Sequence, residues 1–119
     1  MSYLTLNLKK RWFEMWKSGE KPEDYRKMTK YWAKRLCDNY DRFCTMVFDS
    51  QITCFYGEKC KYFKPKKFDG LVLKYGYPQE GDKDRNLMFD GTPKIEIGKG
   101  KEEWGAIPNE ISFIIKKPR

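Results

Sequence analysis

Residues 19–26 read Gly19-Glu20-Lys21-Pro22-Glu23-Asp24-Tyr25-Arg26. Glycine commonly ends a helix and proline disfavours continuing one, so the chain leaves this turn in extended form. Charges of both signs surround a single tyrosine. Held this close, they perturb one another and offer donors and acceptors to a polar ligand; the plainer alternative is a solvated surface turn. Alternate residues of an extended segment share a face, which sets Asp24 with Arg26 and Glu23 with Tyr25. Asp24 and Arg26 are therefore the more credible site pair, and Tyr25 belongs to the core or a cleft wall.

Working outward, Tyr3-Leu4-Thr5-Leu6-Asn7-Leu8 alternates apolar and polar residues and predicts a strand. A helix is expected over residues 9–18, with Trp12, Phe13 and Trp16 on its apolar face. Asn7 or a neighbour would cap it and Gly19 would end it. Thr29 is placed to cap a second helix, whose inner stripe is Trp32, Leu36, Tyr40 and Phe43. Residues 45–67 are ambiguous: Met46-Val47-Phe48 suits a short strand and Phe55-Tyr56-Gly57 a loop. Strands follow at 68–75, 87–89, 94–97 and 111–116, punctuated by Gly76, Pro78, Gly81, Gly91 and Pro93. About five short strands with two early helices predict an α+β fold, a small barrel carrying helices on one side.

A chain of 119 residues suits one domain, 1–119. Its balance of 39% hydrophobic and 35% charged residues is globular rather than disordered. Apolar runs are too short to span a bilayer. The start lacks the apolar stretch of a secretion signal, so a cytoplasmic protein without a membrane partner is expected. The net charge of +8 is uneven, with sixteen basic against eight acidic residues in 1–67 and nine against nine in 68–119. Sequestered positive charge is the footprint of a phosphate-binding face, although a basic surface also serves solubility. The chain has no histidine, which excludes Ser-His-Asp and Cys-His catalysis and most zinc hydrolase sites. Cys37, Cys44, Cys54 and Cys60 lack the paired Cys-x-x-Cys knuckles of four-thiolate sites. Buried thiols without a cofactor are the first expectation, and a structural zinc on those four residues the second.

Several blocks resemble the ASCH family of the PUA-like superfamily, especially its short phage and prophage members. The family signature Gly-x-Lys-x-x-Glu-x-Arg is matched by residues 19–26, with Asp24 in the glutamate place. Further similar blocks are Leu4-Thr5-Leu6-Asn7-Leu8-Lys9, Trp12-Phe13, Tyr31-Trp32-Ala33-Lys34-Arg35-Leu36, Phe68-Asp69, Tyr75-Gly76-Tyr77 and residues 97–106, before a closing strand at Phe113-Ile114-Ile115. They cover most of the chain outside 37–66, which reads as a variable cysteine-containing insertion. The resemblance implies a PUA-like β-barrel with flanking helices and a cleft floored by the signature. It also implies RNA or nucleotide binding. Some small members are amidohydrolases of acetylated cytidine that use a lysine, a threonine and a glutamate. Lys21 stands at the matching lysine, whereas Asp24 occupies the threonine position and supplies no hydroxyl nucleophile.

Read from the residues themselves, Lys21 is a phosphate or carbonyl anchor, or a base if burial lowers its pKa. Arg26 offers a planar fork to phosphate or to Asp24. Arg35 lies three positions after Trp32, so the two are neighbours on the helix surface. Lys74, Tyr75 and Tyr77 end a strand where side chains line a barrel mouth, and either ring is placed to stack on a base or to pack in the core. Glu96, between Ile95 and Ile97, is the candidate second carboxylate beside Lys21 and Asp24. Trp104 caps the barrel or lines the cleft. Gly98-Lys99-Gly100-Lys101 lacks the spacing and the Ser/Thr of a P-loop. Three functional classes follow. The first is an RNA- or nucleotide-binding module, the second a small hydrolase of a modified nucleoside or RNA. The third is a phage protein that binds a host protein through residues 37–66. A monomer or weak dimer suits all three.

Overall fold

Alternating leucines build the first sheet. In the computed structural model, which describes residues 2–45, 63–76 and 86–118, Leu4, Leu6 and Leu8 are buried on strand β1 (Tyr3–Leu8). The polar residues between them face away, as a period of two requires. Helix α1 (Lys10–Ser18) follows, burying Phe13 and Trp16 and ending at Gly19 in the left-handed conformation (φ 85°). Its N-cap is Lys9, which makes no side-chain capping bond, so the expected Asn7 cap is not used. Strand β3 (Gly70–Tyr75) pairs parallel to β1, setting Leu71 opposite Leu4 and Leu73 opposite Leu6. Strand β4 (Asn86–Asp90) pairs antiparallel to β3, giving the order β1-β3-β4. Phe13 meets Tyr75 with ring centroids 4.7 Å apart, and Trp16 meets Phe89 at 5.8 Å.

The second sheet has the order β2-β6-β5, from β2 (Glu23–Lys27), β5 (Lys94–Lys99) and β6 (Ile111–Lys116). Its middle strand, β6, reads Ile-Ser-Phe-Ile-Ile-Lys and is buried from Ser112 to Ile115, as a strand covered on both faces should be. Thr29 caps α2 (Lys30–Leu36) by accepting the Trp32 N–H. The expected stripe is then broken. Cys37 turns extended (φ −104°, ψ 127°) and pairs with Pro65, and a separate short helix α3 (Tyr40–Phe43) follows. Leu36 and Phe43 are fully buried, whereas Trp32 and Tyr40 are half-buried and Ala33 takes the inner position. Phe43, Phe63 and Phe113 form an aromatic cluster with centroids 5.6–6.1 Å apart.

The described residues thus form an α+β structure of six strands in two three-stranded sheets with three helices, and no closed barrel is seen among them. The chain divides into two compact units. The first comprises Met1–Glu23, Lys67–Lys94 and Lys116–Arg119; the second comprises Asp24–Lys66 and Ile95–Ile115. No helix among the described residues is long and apolar enough to cross a membrane. The expectations for 46–48, 55–57, Tyr77, Pro78, Gly81, Cys54 and Cys60 lie outside the described residues.

Candidate functional site

In the second unit, strand β2 brings Asp24 and Arg26 onto one face, as the period of an extended chain requires. Asp24 is buried (5% exposed), and its Oδ2 accepts from Arg26 Nε at 2.9 Å. Burial of the carboxylate makes this pair more than a surface contact, because an unpartnered buried charge would be costly. The pairing also fixes the direction of the guanidinium, which lies 4.9 Å from the Trp32 ring centre.

Helix α2 supplies the rest of the cluster. Arg35 lies three residues after Trp32 and four after Tyr31, on one side of the helix. Its guanidinium is 5.2 Å from the Trp32 ring and donates to Tyr31 Oη at 3.1 Å. The two rings meet edge to face at 5.2 Å, and Tyr31 is 61% exposed. An exposed Tyr31 ring under one guanidinium, beside a half-buried Trp32 under two, offers stacking and phosphate contacts together.

Strand β2 also borders a small open cleft of about 80 Å³, lined in part by Tyr25, Arg26, Lys27, Ile107, Glu110 and Ser112. Tyr25 is fixed at its far end. Its hydroxyl accepts the Lys101 N–H at 3.0 Å, and its ring packs so closely on Gly100 that a Cβ there would collide with it. Tyr25 is a cleft wall, as one of its two expected roles required.

The remaining sequence candidates are distributed as follows. Lys21 belongs to the first unit and is 2% exposed, with Nζ 4.5 Å from the Trp12 ring. Arg11 lies 4.7 Å from the same ring. The Lys21 N–H donates to the Met15 carbonyl at 3.0 Å, tying the segment back onto α1. Lys21 and Asp24 therefore fall in different units. Glu96 is half-buried on β5 between buried Ile95 and Ile97, and β6 separates that strand from β2. Lys74 and Tyr75 are half-buried at the end of β3, the Tyr75 ring engaged with Phe13. Trp104 lies in a 3₁₀ turn (Glu102–Trp104), half-buried under the Lys101 amine at 4.3 Å.

Cys37 is buried, and burial pushes its thiol up from the ordinary value while Sγ bonds to Asn39 Oδ1. Cys44 is half-buried. Among the described residues no group of three or more His, Cys, Asp or Glu is placed to hold a metal ion.

Sequence reasoning passed over Tyr31, Glu110 and Ser112. Tyr31 carries a readable signal, an aromatic doublet followed by Lys34 and Arg35. Glu110 and Ser112 carry none, since only tertiary structure brings them beside β2. Comparison with protein-family models, curated proteins and solved structures finds no match to this chain.

Proposed function

We propose that the chain is an RNA- or nucleotide-binding module of ASCH type, with a PUA-like arrangement of its strands. The reading is supported by the ordered sequence blocks, by the α+β content and by the excess positive charge of residues 1–67. One observation carries it: Arg26 and Arg35 both lie over Trp32, beside the exposed Tyr31. Bases stack on aromatic faces without sequence preference, while adjacent cations hold the backbone.

The test is binding of mixed single-stranded RNA across a salt series. Log affinity should fall linearly with log salt, and Arg35→Ala should flatten the slope by about 0.7, the loss of one phosphate contact. Absence of binding, or a slope that Arg35→Ala leaves unchanged, would contradict the reading. A second reading, hydrolysis of an acylated nucleoside, draws on the deep burial of Lys21. Nucleosides released in the same samples and lost in Lys21→Ala would favour it.

A further inference from the structure

The cleft beside β2 holds a set of polar groups whose chemistry is selective. Arg26, whose Nε is already held by Asp24, contributes donors only, Glu110 acceptors only, and Ser112 a hydroxyl that does both. Among the described residues, the Glu110 carboxylate and the Ser112 hydroxyl have no hydrogen-bond or ion-pair partner. Ser112 is nevertheless only 8% exposed. A half-buried carboxylate and a hydroxyl that reaches solvent, on residues lining one cleft, are groups that a ligand would satisfy. Tyr25 and Ile107 supply apolar walls, Ile107 being 61% exposed at the rim.

Size narrows the ligand. A cavity needs on the order of 10–15 Å³ to hold one water, so about 80 Å³ accepts the edge of a planar ring but not a whole nucleotide. Sugar and phosphate would stay outside, where the exposed Lys27 lies.

Hydrogen-bond complementarity narrows it further. A carboxylate presents two acceptors side by side and binds best to two adjacent donors. Among the four RNA bases, guanine alone offers such a pair, N1–H and the 2-amino group. Adenine and cytosine each place a ring acceptor beside their amino group, and uracil places a carbonyl on either side of its one N–H. All three would set a lone pair against Glu110. Guanine also carries O6 and N7, the acceptors that arginine reads.

We propose that the cleft of Arg26, Glu110 and Ser112 is a guanine-reading subsite, taking a guanine nucleotide either free or within a single strand. The assignment rests on the nucleotide-binding reading above. Its test uses the full chain, titrated with uridine pentamers carrying one central guanosine, adenosine, cytidine or inosine, and with the four free nucleoside monophosphates. The guanosine pentamer should bind roughly 5- to 150-fold tighter than the adenosine and cytidine ones, the worth of one good bidentate contact. Inosine, which lacks the 2-amino donor, should fall between. Glu110→Gln should reduce the guanosine preference to near unity, with its melting temperature confirming an intact fold.

The same preference among the free monophosphates would place the free nucleotide within the ligand class, and its restriction to pentamers would require a strand; either supports the subsite. Equal binding of all pentamers would overturn it while leaving nucleotide binding in place. Inosine equal to guanosine, or a preference that survives Glu110→Gln, would also overturn it. No binding to any probe would overturn both readings.

Discussion

Each unit holds a half-buried tryptophan with two cations over its ring, yet the two arrangements differ in exposure. In the first unit Trp12 lies under Arg11 and under Lys21, whose side chain is 2% exposed. In the second, Trp32 lies under Arg26, with 18% of its side chain exposed, and under the exposed Arg35. The first stack is closed on its Lys21 side, with Arg11 exposed. Its amine is buried, so the contact serves packing and its loss is felt as stability. The second is open along Arg35 and Tyr31, and its Arg26 also lines the cleft that holds Glu110. The same pairing of indole and cation thus does structural work where it is covered and remains available to a ligand where it is not.

The largest effect expected from this contrast is on the closed side. Lys21→Ala removes a buried aliphatic stem and a cation over Trp12, and should cost about 2–4 kcal/mol of stability by chemical denaturation. RNA affinity of the folded fraction should be unchanged. A loss below about 0.5 kcal/mol would mean that the stack is not structural.

The open side should behave in the opposite sense. Trp32→Ala is expected to weaken RNA binding by about 1–3 kcal/mol, the range for one stacked base. Trp12→Ala should lower stability and leave affinity alone. Equal affinity losses in the two variants would erase the distinction.

A paired substitution sharpens it. Both units press a tyrosine ring against a glycine, Tyr3 on Gly70 and Tyr25 on Gly100. Alanine at either glycine forces the ring to shift, at about 1–3 kcal/mol as an overpacked site. Gly100→Ala should also lower nucleotide affinity by moving the Tyr25 wall, and Gly70→Ala should not.

The smallest effect is one of pH. The Tyr3 hydroxyl donates to Asp90 Oδ1, and that bond, with the nearby Asp90 and Asp69 charges, raises its pKa above 10.0. Its contribution to stability is complete below the unfolded value and is lost as pH rises through the folded value. Tyr3→Phe should therefore flatten the alkaline decline of stability above about pH 10 and leave neutral pH unchanged in slope. An unaltered alkaline limb would contradict the assignment.

Legibility in the sequence followed how local each determinant is. The period of two in Tyr3–Leu8 marks β1, and Ile111–Lys116 is found at its expected bounds, because each strand carries its pattern within six residues. The Asp24–Arg26 pair was legible for the same reason. The break between α2 and α3 was not. Trp32, Leu36, Tyr40 and Phe43 have the spacing of one helix, but residues distant in sequence capture the backbone. The Asp38 N–H donates to Lys64, the Lys66 N–H to Leu36, and Cys37 bridges Pro65. Trp32 was read as core because its helical position is apolar. In the structure Ala33 takes the inward place, and the half-buried indole lies under two arginines instead. Glu110 and Ser112 come beside β2 only through the pairing of β2 with β6.

The most direct test follows the four indole N–H resonances by NMR as single-stranded RNA is added. Trp16 is the internal reference, since its Nε1 is buried and without a hydrogen-bond partner among the described residues. The Trp32 indole should shift with saturation while those of Trp12 and Trp16 stay in place. Movement of Trp12 with Trp32 unchanged, or no movement of any indole at saturating RNA, would contradict it.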